Sequence, residues 1–397
     1  MSGPLRSVAG ALARAPRWIR VPLIAFALTR AGILLVAYVS QVLINDSTWP
    51  APYHARPDSI LLDVFGSRWD TGFFLRVARE GYWVASGDEL PGFSVFPLLP
   101  LLIRGLTILG LDPLVAGLFV TNGSLLGACF LLHRLAAGEG GEEDADRAVF
   151  YLLVFPTSFF GSAVYSESLL LLCSLAAQLL ARRGRWGAAG AAAFLAATSR
   201  LVGVFSAFLV AGEWLRQRAE RSGTDAARPG YKGLLAAVAA PAGTLSYMAY
   251  LWHAFGDPIA FVTAQAKWGR PPSLPFQPLL ALFSRPAGGW GNALASGRIP
   301  IDPWIDGLAG VVFLALGLVL LRRRRWGEGA YVLACALLPL CTAQAMSERR
   351  FVWVLYPVFP LLARWGRCPW VDRAIVTLSL LLLGLSTALF ANWYWAG

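Results

Sequence analysis

The sequence predicts an all-α, polytopic integral membrane protein with about eleven transmembrane helices, and three observations carry that reading. Of the 397 residues, 57% are hydrophobic and 14% charged, against about 25% charged in an ordinary soluble domain. Long apolar runs recur from Val21 to the last residues. Basic residues sit in short clusters between those runs, where topology requires them, so the net charge of +11 does not point to nucleic acid.

The runs thread into one consistent order. Arg6, Arg14, Arg17 and Arg20 precede an apolar stretch too long for a signal-peptide core and without a clear cleavage site. It reads as an uncleaved first span, residues 21–44, with a cytoplasmic N-terminus. Residues 45–112 form a first extracytoplasmic loop. Within it, residues 97–109 read as a helix lying at the outer interface, because a span there would invert every later basic cluster. Span two, 113–135, returns to an acidic cytoplasmic loop, 139–146. Spans three to six follow at 147–164, 166–181, 186–199 and 201–215, flanked by Arg182, Arg183 and Arg185 and by Arg216, Arg218 and Arg221. These are short for a core of about 30 Å at about 1.5 Å per residue, so the membrane is thinned there or the helices surround a cavity. Span seven is 233–253, and a second outer loop covers 256–302. Span eight ends at Arg322, Arg323, Arg324 and Arg325, and span nine exits to Ser347-Glu348-Arg349-Arg350. Span ten returns to Arg364, Arg367 and Arg373, and span eleven completes a single domain, 1–397, without an internal repeat.

The five cysteines show no CxxC and no Cys/His ligand spacing, so neither a disulfide framework nor a zinc site is expected. Gly138-Glu139-Gly140-Gly141 lacks the lysine of a phosphate-binding loop, and no GxGxxG follows a strand. No metal and no nucleotide cofactor is called for. An activated donor, if the chain is a transferase, is therefore a lipid.

Charges on the outer side are not needed for topology, which makes them functional candidates. They are Arg68, Asp70, Arg76, Arg79, Glu80, Glu167, Arg200, Lys267, Arg270, Glu348, Arg349 and Arg350. Asp70 has two readings. Ser67-x-x-Asp70 resembles a capping box with Asp70 at the third helical position. The same position, with the helix dipole and Arg68 favouring the carboxylate, suits a general base for a substrate hydroxyl. Glu167 either caps span four or orients Asp70 or a sugar hydroxyl. Arg200, Arg349 and Arg350 are either interfacial anchors or a phosphate clamp, since guanidinium meets phosphate oxygens bidentately. Arg68, Trp69, Tyr82 and Tyr165 are the expected substrate-binding residues. Arg30 lies inside span one and either pairs internally or meets a lipid phosphate, while His54 and His253 read as structural.

The stretch Ser67-Arg68-Trp69-Asp70 through Phe74-Leu75, Ala78 and Glu80-Gly81-Tyr82 resembles the first-loop motif of the PIG-V-like mannosyltransferases. That family holds the second GPI mannosyltransferase and bacterial relatives, and this chain looks like a bacterial member. Phe96-Pro97-Leu98-Leu99-Pro100, then Phe155-Pro156 through Tyr165-Ser166-Glu167-Ser168, then Ala197-x-Ser199-Arg200-x-x-Gly203 match in order, as does Arg349-Arg350-Phe351. The resemblance implies a GT-C membrane fold in the plasma membrane and a polyprenyl-phosphate-mannose donor used on the extracytoplasmic face with inversion. It implies Asp70 as base, while the role of Arg200 and Arg349 or Arg350 on the departing phosphate comes from topology. The expected acceptor is a glycolipid or cell-envelope glycan hydroxyl, and the sugar expected to move is mannose or another hexose. Three other readings stand beside this one. A flippase of lipid-linked glycans would usually show two related halves. A protein-O-mannosyltransferase or arabinosyltransferase would usually carry two adjacent acidic residues, whereas Thr71 follows Asp70 here. A catalytically inactive scaffold is the third.

Overall fold

The computed structural model describes residues 14–48, 54–84, 91–220, 230–284, 289–297 and 301–397; Arg6 and Arg221 of the basic clusters lie outside the described residues. Among the described residues the chain is helical almost throughout, and β pairing is limited to one bridge between Pro272 and Thr342. In chain order the helices are α1 (Arg17–Leu43), α2 (Ile60–Ser67), α3 (Thr71–Glu80), α4 (Leu98–Ile108), α5 (Pro113–Gly140), α6 (Glu142–Val154), α7 (Glu167–Arg182), α8 (Trp186–Ser199), α9 (Ser206–Glu220), α10 (Lys232–Phe255), α11 (Ala260–Lys267), α12 (Gln277–Leu282), α13 (Gly289–Ala295), α14 (Ile301–Arg322), α15 (Trp326–Leu337), α16 (Glu348–Trp353), α17 (Val358–Trp365) and α18 (Pro369–Ala391).

Five of these, α1, α5, α10, α14 and α18, are long and apolar enough to cross a membrane. The other expected span positions hold α6, α7, α8, α9, α15 and α17, which run from 8 to 16 residues. At about 1.5 Å per residue the longest reaches ~24 Å, short of a hydrocarbon core. On α1 the exposed apolar residues Leu28, Leu35 and Val42 recur every seventh position, a stripe suited to lipid, while Ile33 and Ala37 face the core. Helix α5 starts where Asp112 Oδ1 accepts from the Leu114 and Val115 amides, with Pro113 pre-set for the first turn. The expected interfacial helix is α4: Leu99 and Ile103 are buried, and Leu101, Ile108 and Leu109 are exposed.

Two segments depart from expectation. The third span, 147–164, stops at Val154, because Pro156 pushes Phe155 into an extended conformation (φ −53°, ψ 141°), and a 3-10 turn, Ser158–Ser162, follows. Breaking a helix there frees carbonyls, and Arg30 takes them. It donates to Leu153 O at 3.0 Å and Ser158 O at 2.8 Å, and reaches the Ser158 and Ser162 hydroxyls at 3.3 and 3.2 Å. The intramembrane arginine thus pairs internally. The second outer loop is not irregular throughout, since it contains α11, α12 and α13.

Helices α1, α5, α6, α17 and α18 pack together around the main apolar core. Helices α7 to α10 pack through a seam of alanines that includes Ala181, Ala193 and Ala240, with Gly190 against the Ala236 backbone. Small side chains allow that close approach. At one end of the bundle Glu139 meets Arg182 and Arg325, both at 3.0 Å, and Arg364 at 3.5 Å. Asp144 meets Arg367 at 2.8 Å, and Asp146 meets Arg17 at 2.6 Å. The clusters expected on one side therefore converge on the acidic segment expected beside them. Since α7 ends there, its first residue, Glu167, lies at the opposite end.

Gly203 sits where the 3-10 turn Leu201–Phe205 folds back on α8, and a Cβ on it would stand 1.9 Å from Ala196 O, a backbone atom that cannot swing aside. Gly203→Ala is expected to cost about 3 kcal/mol or more by overpacking. Gly123→Ala, where a Cβ meets nothing within 4 Å, is expected to stabilise α5 by about 0.5–1 kcal/mol. Denaturation of the two purified variants against wild type checks the contrast.

Candidate active site

The end of the bundle away from Glu139 collects four charged side chains from four separate segments. Asp70 comes from the junction of α2 and α3, Glu167 from the start of α7, Arg200 from the end of α8, and Arg350 from α16. Arg350 links them. Its Nη1 donates to Asp70 Oδ2 at 2.9 Å, across 280 residues of sequence, and its Nε lies 3.3 Å from Glu167 Oε1. Arg200 Nη1 lies 2.6 Å from the same Glu167 oxygen and 3.4 Å from Ser166 Oγ. Four aromatic rings, of Phe160, Tyr165, Phe351 and Trp395, surround the Arg350 guanidinium at 5.0–5.4 Å. Glu167 is sealed at 1% side-chain exposure, whereas Asp70 keeps 25% and is the more accessible carboxylate.

Local backbone chemistry aims these groups. Trp69 has φ 56°, a left-handed conformation for a bulky residue, immediately before Asp70. The Asp70 amide donates to Tyr165 Oη at 3.0 Å, and Trp69 packs edge-on against Trp395 with centroids 5.0 Å apart. Ser347, with φ 68°, turns the chain into α16, and Asp306 accepts from the Ser347 and Arg349 amides at 2.8 and 3.0 Å. Each such turn costs on the order of 1 kcal/mol and holds only because its surroundings fix it.

The capping reading of Asp70 fails. Ser67 closes α2 instead of opening a helix, its hydroxyl donating to Asp63 O at 2.6 Å and reaching Asp63 Oδ1 at 3.0 Å. Asp70 precedes α3 without a side-chain cap bond. Glu167 likewise spends its carboxylate on two arginines. Of the three arginines proposed for phosphate, Arg200 and Arg350 join the cluster and Arg349 does not: it meets Asp302 at 2.7 Å and Asp306 at 3.4 Å. Arg68 does not contact the Asp70 carboxylate among the described interactions. Its buried guanidinium meets Asp63 at 2.7 Å, Gln41 Oε1 at 3.2 Å and Ala391 O at 3.1 Å, over the Trp393 ring. His54, read as structural, belongs to that group through Asp63 at 2.7 Å. Burial raises the Asp63 carboxyl, but the Arg56 amide, His54 and Arg68 outweigh it and hold it below the usual range. Tyr165 is buried and positions Asp70, and Tyr82 sits apart, donating to Val95 O at 2.8 Å beside Tyr247.

Sequence reasoning missed Asp306 and underrated Arg270. Asp306 was legible as a lone carboxylate just inside an apolar run, four residues after Asp302.

No protein-family model and no curated protein matches the sequence. Among solved structures, the chain aligns over 95% of its length with the apo oligosaccharyltransferase of Archaeoglobus fulgidus, at 13% identity and a TM-score of 0.41, covering 56% of that chain. The archaeal oligosaccharyltransferase AglB from Archaeoglobus fulgidus, in complex with an inhibitory peptide and a dolichol-phosphate, gives 14% identity and a TM-score of 0.40, with 95% and 56% covered. The chain thus spans little more than half the length of the structures it aligns with. A likeness this loose assigns neither family nor activity.

Removing Arg68 strands a buried carboxylate. Arg68→Gln is therefore expected to destabilise the fold by about 3–5 kcal/mol, with ligand affinity of the folded fraction unchanged. Thermal unfolding and a binding titration on the same preparation separate this from a substrate-binding role.

Proposed function

We propose that this protein is a membrane glycosyltransferase of GT-C type. It moves a mannosyl residue from polyprenyl-phosphate-mannose to a hydroxyl of a lipid-linked or cell-envelope glycan. The reaction inverts the anomeric carbon on the extracytoplasmic face of a bacterial plasma membrane. The observation that supports this best is the Asp70–Arg350–Glu167–Arg200 cluster: one accessible carboxylate beside two guanidinium groups, at the end of the bundle opposite the basic clusters.

The chemistry is a single displacement. Asp70 takes the proton of the acceptor hydroxyl. The oxygen attacks the sugar C1 as the bond from C1 to the phosphate oxygen breaks, and its electron pair leaves with polyprenyl phosphate. Arg200 and Arg350 face the charge that develops on the phosphate, an arrangement preorganised for the transition state. Glu167 lies between them and keeps two like charges together in the buried site. A phosphate group entering the cluster competes with Asp70 for Arg350. Donor binding thus loosens the ion pair that occupies the base.

The test is sugar transfer from synthetic polyprenyl-phosphate-mannose to a membrane-lipid extract. Transfer by wild type and a loss of about 10²-fold or more in Asp70→Asn, the scale of a general base, is the expected result. Equal activity removes Asp70 from the mechanism. A wild type that moves lipid-linked glycans across vesicles without transferring sugar makes the protein a flippase.

A further inference from the structure

We propose that Arg270 is a third phosphate-binding guanidinium, which with Arg200 and Arg350 forms a site around Phe351 for the leaving polyprenyl phosphate. The proposal rests on the transferase reading of the same cluster.

Arg270 lies between α11 and α12, in the second outer loop, and is 8% exposed. Among the described residues no carboxylate lies within ion-pair distance of it, and its buried Nε has no hydrogen-bond partner. Its guanidinium carbon stands 5.3 Å from the centroid of the Phe351 ring. Arg200 and Arg350 stand 5.1 and 5.0 Å from the same centroid. Three cations thus surround one side chain.

Their counter-charges do not match. Asp70 and Glu167 offset Arg200 and Arg350, and Asp302 and Asp306 face Arg349. Glu348 and Asp306 are close enough to act on Arg270, but neither forms an ion pair with it among the described residues, and Glu348 is itself buried without a hydrogen-bond partner. Burial, and then the Asp306 carboxylate, push the Glu348 carboxyl well above its usual range, which weakens it as a counter-charge. Burial, and then the Arg350 charge, push Arg270 down to about 10, so it remains a cation at neutral pH. A buried cation without a partner is costly in the empty protein and favourable once an anion arrives.

Reaction chemistry supplies that anion. The donor is a phosphodiester and carries one negative charge. When the bond from C1 to oxygen breaks, the electron pair stays on the phosphate, and the leaving group becomes a monoester with a second negative charge. Arg200 and Arg350 are already shared with carboxylates, and Arg270 is the charge left over for the one that develops. An interaction that strengthens along the reaction raises the rate of the chemical step rather than ground-state binding alone.

The experiment measures binding to full-length purified protein of a short-chain polyprenyl phosphate, the uncharged polyprenol of equal length, and inorganic phosphate. Arg270→Gln is expected to weaken polyprenyl phosphate at least tenfold, leave polyprenol unchanged, and raise the melting temperature of the ligand-free protein. Arg270→Lys, which keeps the charge, is expected to fall between. A parallel loss of inorganic phosphate affinity shows that the site reads the phosphate itself, and loss confined to the lipid shows that the chain is needed to bring it there. Unchanged polyprenyl phosphate binding, or a lower melting temperature with no selectivity between phosphate and polyprenol, overturns the assignment. A wild type that binds none of the phosphate ligands overturns the transferase reading with it. A wild type that binds polyprenyl phosphate while Arg270→Gln binds it equally overturns only the role of Arg270.

Discussion

The charged cluster at one end of this molecule depends on one guanidinium. Arg350 reaches Asp70 and Glu167 together and holds the junction of α2 and α3 against the start of α7. Desolvating three charges is unfavourable, and the contact persists only because each has partners in place. The surrounding turns hold these groups in place. Tyr165 takes the Asp70 amide, Asp306 takes the amides that lead into α16, and Trp395 covers both Trp69 and Arg350. The two left-handed residues, Trp69 and Ser347, lie in the turns that deliver the pair. Local backbone strain at these points is the consequence of aiming a carboxylate and an arginine from distant parts of the chain at one place.

A second charged network fixes the other end. Glu139 gathers arginines from α7, from the turn before α15 and from α17, so α7, which carries Glu167 at one end, is tied to its neighbours at the other. Helix α7 runs from Glu167 to Arg182 and belongs to both networks. Short helices then become useful. A rod of about 24 Å anchored at both ends has little freedom to tilt, and the spacing of Glu167 from its arginines follows from that anchoring.

Much of the fold was legible in the sequence because apolar length and basic clusters obey simple rules. The bounds of α8 match the segment expected as the fifth span, and α4 is a helix over nearly the whole of the expected 97–109. The break after Val154 was legible in Phe155-Pro156 but was overridden by the continuing apolar run. The site was half legible. Outer charges without a topological role singled out Asp70, Glu167, Arg200 and Arg350. Their pairing was hidden, because partners 280 residues apart leave no spacing signal. The same limit explains Arg68 and Arg349. Both carry the right chemistry at the right height, and only the fold shows that Asp63 and Asp306 have claimed them. The uncompensated Arg270 was invisible for the complementary reason, that the absence of a partner is a property of three-dimensional packing.

The most direct test of this account is a double-mutant cycle on stability with Asp70→Asn, Arg350→Gln and the double variant. A coupling of at least about 1 kcal/mol is expected, as for residues in one buried charge network. Additivity within about 0.3–0.5 kcal/mol, the behaviour of independent sites, would contradict it.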